Sequence, residues 1–252
     1  MIRAFWIFVF LTFSGCSAHR SAPSPYLQPI AEAPVPTPAP AQPAPRPAPT
    51  PRPAARPAAS KKPLVYLDPG HGGEAIGAQN KPRRLQEKRL TLDIAKRAER
   101  LLGEWGYPVR LSRVRDVALS LQKRVSIAEK RSASVFVSIH INSSPSRETS
   151  GAEVFYYGAK AQAKADRIAS SRRLGTNILN SLCRTLPTAS RGLKDGDFYV
   201  IRETTMPSVL VEVAFITNPH DALLLASASY KQKIALAIAK GIDEFFSPAS
   251  SG

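Results

Sequence analysis

The sequence predicts an α/β fold: a single twisted, mostly parallel sheet of about six strands, covered by helices on both faces. Three observations carry this. Short apolar runs alternate with longer amphipathic stretches, which is how parallel strands joined by helical crossovers read. Runs such as Val135-Phe-Val-Ser-Ile139 are apolar almost throughout, as buried strands are. Residues able to do chemistry follow directly after such runs, and ligands in open α/β sheets gather at the carboxyl ends of strands.

The first residues lie outside this fold. Arg3 is followed by the apolar run Ala4 to Phe13 and then by Ser14-Gly15-Cys16. A basic residue, an apolar stretch too short to span a bilayer and small residues at the end describe an export signal. The closing cysteine makes residues 1–16 a lipoprotein signal peptide, cut before Cys16 so that its thiol carries the lipid. Phe13 stands where such signals usually have leucine. Residues 17–63 are expected to be a Pro/Ala-rich disordered linker. Between Pro23 and Pro63 lie fifteen of the chain's 23 prolines, which fix φ and donate no N–H, so neither helix nor sheet can form. At roughly 3 Å per residue the extended spacer reaches on the order of 100 Å. Residues 64–252 form the domain, and about 190 residues suffice for one core.

Within the domain each element has its own signal. Leu64 to Asp68 is an apolar strand ended by Pro69-Gly70. A loop leads to a helix from Glu87 to Trp105, stopped by Gly106. Tyr107 to Leu111 is the second strand. Ser120, a good helix cap, opens a helix to Arg131. Val135 to Ile139 and Gly151 to Tyr157 are the third and fourth strands, and a long helix runs from Gln162 to Leu186. Phe198 to Arg202 and Val209 to Phe215 complete the strands. Pro219 to Ala226 and Tyr230 to Phe246 close the chain as helices.

Charge and cysteine narrow the function classes. Seven of the 35 Lys/Arg and one of the 19 Asp/Glu precede Leu64, so the domain holds 28 bases against 18 acids, a net of +10. A basic surface favours anionic partners. The bases are scattered and no nucleic-acid motif occurs, so nucleic acid is not among the expected partners. With Cys16 lipidated, Cys183 is the one remaining thiol. It sits among apolar helix residues and reads as a small core hydrophobe. The mature monomer, the expected state, holds no disulfide.

The segment Leu67-Asp-Pro-Gly-His-Gly-Gly73 places His71 in a glycine-rich turn after a strand. Val135 to Ile139 is followed by His140 and Asn142. Glu212 lies in the middle of the apolar run Val209 to Phe215, where a carboxylate is costly unless paired or functional. Two histidines at strand ends and a carboxylate inside a buried strand suggest a metal site with a general base. Glu74, three residues after His71, and Glu87, opening a helix, are rival carboxylate ligands on this reading. Ser120 and Lys123 match a Ser-x-x-Lys pattern, but neither Ser-Asp-Asn nor Lys-Thr-Gly accompanies it.

Five pieces, in order, resemble the zinc-dependent N-acetylmuramoyl-L-alanine amidases of the Amidase_3 type. They are the LDPGHGG turn, Glu87-Lys-Arg-Leu, Ser138-Ile-His-Ile-Asn142, Ser190-Arg-Gly-Leu-Lys194, and the stretch from Pro207 to Asn218. The likeness runs from about Pro63 to Phe246. One departure is Glu74-Ala-Ile-Gly-Ala78, where the family usually has Asp-Pro-Gly-Ala. The resemblance implies zinc held by His71, Glu87 and His140, with Glu87 preferred over Glu74, and Glu212 as the catalytic glutamate. Asp68 and Asn142 are candidates to orient the ligands. The implied reaction is hydrolysis of the amide between N-acetylmuramic acid and L-alanine of the peptidoglycan stem peptide. The implied partners are peptidoglycan and, through Cys16, a membrane. The expected location is the periplasmic face of the cell envelope, with Ser17 after the cysteine pointing to outer-membrane sorting where two membranes exist. Two other readings compete: a catalytically silent peptidoglycan-binding lipoprotein, and a dual enzyme in which Ser120 and Lys123 add a serine D,D-carboxypeptidase activity.

Overall fold

A computed structural model describes residues 61–158 and 165–247. The expected signal peptide with Cys16, and the linker up to residue 60, lie outside the described residues. The elements are β1 (Val65–Pro69), β2 (Gln79–Asn80), β3 (Leu85–Gln86), α1 (Glu87–Glu104), β4 (Val109–Leu111), α2 (Leu121–Lys130) and β5 (Val135–Asn142). There follow β6 (Ala152–Tyr156), α3 (Ala165–Thr185), β7 (Ser190–Asp195), α4 (Tyr199–Arg202), β8 (Ser208–Phe215), α5 (Pro219–Ala226) and α6 (Ala228–Phe246). The main sheet has six strands in the order β4-β1-β5-β8-β6-β7. Every neighbouring pair in it is parallel except β6 with β8. The fold class expected from the sequence is the one observed.

Strand alternation sorts side chains between two cores. Val135, Val137, Ile139 and Ile141 of β5 join Val65, Val209 and Val211 in the larger core, under α1, α3 and α6. Phe136, Tyr66 and Leu210 point the other way, into a smaller core covered by α2 and α4. Ser138, His140 and Asn142 continue the series of Phe136, and Glu212 that of Leu210. The polar residues therefore leave the smaller core upward along the same face. Helix α1 buries Leu90, Ile94, Ala98 and Leu102 at four-residue spacing, the stripe of a helix lying on a core. The Ser120 side chain caps α2 by accepting from the Lys123 N–H, and Asn218 caps α5 ahead of Pro219.

Several expectations need correction. Phe198 to Arg202 is not a strand: Tyr199–Arg202 is the single helical turn α4, burying Val200 and Ile201. Two adjacent apolar residues fit a helical turn as well as a strand. The sixth strand is β7, whose residues are exposed or half-buried at the sheet edge, so it shows little of the apolar run that marks a buried strand. Strand β5 extends to Asn142, so His140 sits inside its strand and not beyond it. Of the long helix expected over residues 162–186, residues 165–185 form α3 and residues 162–164 lie outside the described residues. The segment expected as a plain loop also contains the small β2–β3 hairpin.

Candidate metal centre

The loop after β1 is built around one strained residue. His71 has φ 61, in the left-handed region that L-residues rarely enter and that clusters at functional sites. Two buried arginines hold this loop. Arg124 donates through Nη2 to the His71 carbonyl (2.7 Å) and through Nη1 to the Pro69 carbonyl and to Asp68 Oδ1. Arg113 donates to the carbonyls of Pro69, Gly70 and Lys88. Burial, helped by the charge of Arg124, pushes the Arg113 guanidinium down to about 10. Two glycines leave room for the ligands. A Cβ at Gly70 would collide with the His140 ring, and one at Gly77 would stand 2.5 Å from Glu87 Oε2 and 2.7 Å from His71 Cδ2.

Glu87 opens α1 and is almost fully buried. Its carboxylate is clamped from four directions. Oε1 lies 2.9 Å from His140 Nδ1 and accepts from the Ile141 N–H; Oε2 lies 3.1 Å from His71 Nε2 and accepts from the Ala78 N–H. Burial raises the Glu87 carboxyl, but the hydrogen bonds and charges of His140 and His71 outweigh it and hold the group well below the usual carboxylate range. One donor atom each from His71, Glu87 and His140 lies within 4.8 Å of the others.

The sheet register supplies the remaining groups. His140 stands beside Glu212 across β5–β8, and Glu212 faces Glu153 across β8–β6. Glu212 is half-buried, with Oε2 sealed from solvent and unpaired. Burial first, then the carboxylates of Glu87 and Glu153, raise its carboxyl well above the ordinary value. Glu153 is buried but compensated: it accepts from Asn142 Nδ2 and from Arg191 and Lys194 on β7. An open polar cleft of about 440 Å³ runs over His71, Glu87, His140, Asn142 and Glu212.

The structure brings His71, Glu87, His140 and Glu212 together. Glu74 is exposed and outside the group. Asp68 and Asn142, expected to orient the ligands, bond directly to none of the three. Asp68 is bound by Ser112, Ser138 and Arg124, and reaches His71 only through Arg124. Asn142 lines the cleft and bonds to Glu153, not to a ligand. Ser120 is exposed and its hydroxyl is used as a helix cap. Cys183 is half-buried against the larger core. Sequence reasoning missed Glu153, although an acid inside Ala152-Glu-Val-Phe-Tyr156 carries the same signal as Glu212. It also missed the two arginine clamps, which only the fold brings to the loop.

Residues 65–244 match the family described as N-acetylmuramoyl-L-alanine amidase, Amidase_3. The chain belongs to this family. Among curated relatives it is 43% identical over 182 residues to the N-acetylmuramoyl-L-alanine amidase LytC of Bacillus subtilis, covering 72% of this chain and 35% of that protein. It is 33% identical to the amidase AmiA of Escherichia coli, over 76% of this chain and 80% of that one. Among solved structures, the amidase AmiC2 of Nostoc punctiforme matches with a TM-score of 0.66 at 38% identity, over 72% of this chain and 96% of that chain. The chain thus spans about a third of LytC but most of the other two. The six-stranded domain is the catalytic-domain fold of these amidases, which are peptidoglycan hydrolases.

The trio of His71, Glu87 and His140 fits a metal ion on its own chemistry. Two imidazole nitrogens and one carboxylate oxygen form a donor set typical of catalytic zinc. Gly70 and Gly77 keep free the space that side chains would fill. The Glu87 carboxylate already meets both rings, and its Ala78 and Ile141 bonds fix it from behind.

Proposed function

We propose that this amidase-family chain is a zinc-dependent enzyme that hydrolyses the amide between the lactyl carbonyl of N-acetylmuramic acid and L-alanine of the stem peptide. The observation that carries the reading is the placement of Glu212 in register with His140, beside three convergent donors and with one carboxylate oxygen unpaired. His71, Glu87 and His140 would hold the metal. Zinc held there supplies a Lewis acid for a water and for the scissile carbonyl, and its charge opposes the carboxylate repulsion at Glu212. Glu212 takes the proton of the attacking water and returns it to the alanine nitrogen as the amide breaks. Arg124 and Arg113 keep the His71 loop in its strained form, and Asn142 and Glu153 keep the cleft floor fixed beside Glu212. We further propose that Cys16 anchors the mature monomer to a membrane of the cell envelope and that the proline-rich spacer gives it reach to the wall. The test is digestion of purified peptidoglycan with the zinc-loaded protein and mass spectrometry of the products. Free stem peptides beginning with L-alanine are expected. Products cut only at glycosidic or D,D-peptide bonds would overturn the assignment.

A further inference from the structure

Two clefts meet at the histidines. His71 and His140 line both. One is the open polar cleft that holds Glu212. The other, of about 200 Å³, is mostly apolar and is walled by Leu119, Leu121, Phe198, Tyr199 and Leu210. That volume is below the roughly 300–1,000 Å³ of a pocket that engulfs a whole small ligand, so it suits one group of a larger substrate. Its rim carries exposed apolar surface. Among the described residues four large apolar side chains are exposed, and two of them, Leu121 (49%) and Phe198 (38%), wall this cleft. Phe198 is braced against Phe155, ring centroids 5.0 Å apart, so the aromatic wall is preformed. The charged groups at its base are already committed: Arg124 to Asp68 and three carbonyls, Asp68 to Ser112, Ser138 and Arg124.

Glu212 gives the substrate its direction. It lines the polar cleft and not the apolar one. A group that hands a proton to the departing amine must face that amine. The peptide half therefore lies on the Glu212 side, and the acyl half lies towards the apolar cleft. Beyond Glu212 the sheet continues to β6 and β7, where Arg191 and Lys194 share the single carboxylate of Glu153. Both cations are partly exposed, at 38%, and two positive charges on one negative leave a surplus. That side suits a peptide bearing free carboxylates.

We propose that the cleft walled by Leu121, Phe198 and Tyr199 is a sugar subsite, taking the N-acetyl group and apolar ring face of the muramoyl unit, with the peptide running from Glu212 towards Arg191 and Lys194. It rests on the amidase reading above. The test uses the zinc-loaded full chain and two substrates with the same stem peptide: an N-acetylmuramoyl peptide and a D-lactyl peptide that lacks the sugar. Wild type should have the lower KM for the muramoyl peptide. Phe198→Ala and Leu121→Ala should each raise that KM by up to about tenfold, the worth of one well-buried apolar group, and leave the KM for the lactyl peptide unchanged. Lys194→Gln should raise KM for both. Leu121 is exposed at the first position of α2, so its variant keeps the test open if Phe198→Ala fails to fold. A wild-type protein that cuts neither substrate overturns the amidase reading and the subsite with it. A wild-type protein that cuts both, with KM in the Phe198 and Leu121 variants unchanged or raised equally on both substrates, overturns the subsite alone.

Discussion

Replacing Glu212 with glutamine should remove turnover while raising stability. The amide is nearly isosteric, so the β8 register with His140 and Glu153 is kept. Loss of a general base typically lowers kcat by about 10²–10⁴-fold, or roughly 3–5 kcal/mol of barrier. The stability effect has the opposite sign. Burial, Glu87 and Glu153 raise the folded carboxyl well above its ordinary value. Protonation therefore favours the folded state, and stability in the metal-free protein falls as pH rises from the ordinary carboxylate value towards the raised one. The variant has no such charge. Its Tm should match wild type near about pH 4 and exceed it increasingly towards about pH 8. Each pH unit over which the folded carboxyl stays protonated while the unfolded one ionises costs the wild type about 1.4 kcal/mol. At about 2–4 °C per kcal/mol for a domain of this size, several degrees are expected. Thermal melts across pH, with and without chelator, together with zinc content and muropeptide turnover, measure all of this. A folded, zinc-loaded variant with near wild-type turnover removes Glu212 from the mechanism. A Tm below wild type at every pH makes Glu212 a structural partner instead.

Strong chelator should stop the reaction and added zinc restore it; Glu87→Ala should lose the metal by elemental analysis, whereas Glu74→Ala, at an exposed position, should retain it. Gly77→Ala places a Cβ against Glu87 and His71 at φ +72, so zinc affinity should fall about 10–100-fold in competition with a chelating dye; unchanged affinity would show that the loop can shift away. Cys16→Ala should move the protein from the detergent phase to the aqueous phase, and a wild-type protein recovered fully soluble with an unmodified cysteine would refute the anchor.

The sheet and the histidines were legible because their signals are local. Buried parallel strands are apolar runs, and the Pro-Gly-His-Gly-Gly turn ends one of them. Strand β7 was not legible, because an edge strand needs no apolar run: its exposed Ser190 and Arg191 look like loop. Residues 198–202 misled for the converse reason, since Val200 and Ile201 are buried by a helical turn. Glu87 could not be separated from Glu74 by residue chemistry alone. The choice came from resemblance, and its physical ground is tertiary: only Glu87 is brought under both imidazoles by α1. Arg113 and Arg124 lie more than forty residues from the loop they clamp, beyond the reach of any local pattern.

Four carboxylates surround the site, and their partners set apart the one proposed to carry the proton. A buried carboxylate is expensive unless hydrogen-bonded and paired. Asp68 has Arg124 and two serines. Glu87 has two imidazoles and two backbone N–H groups. Glu153 has an amide and two cations. Each of the three is held in one place by its donors, as a structural or ligating group must be. Glu212 alone keeps a sealed oxygen without a partner, next to two negative neighbours that make its charge costly. A proton carrier needs that condition, because a carboxylate already saturated with donors holds its proton too weakly to accept and return one near neutrality. Giving Glu212 a cation of its own, for instance through Ser143→Lys at the exposed rim of the polar cleft that Glu212 lines, would therefore stabilise its charge and slow turnover even though every residue of the trio remained in place.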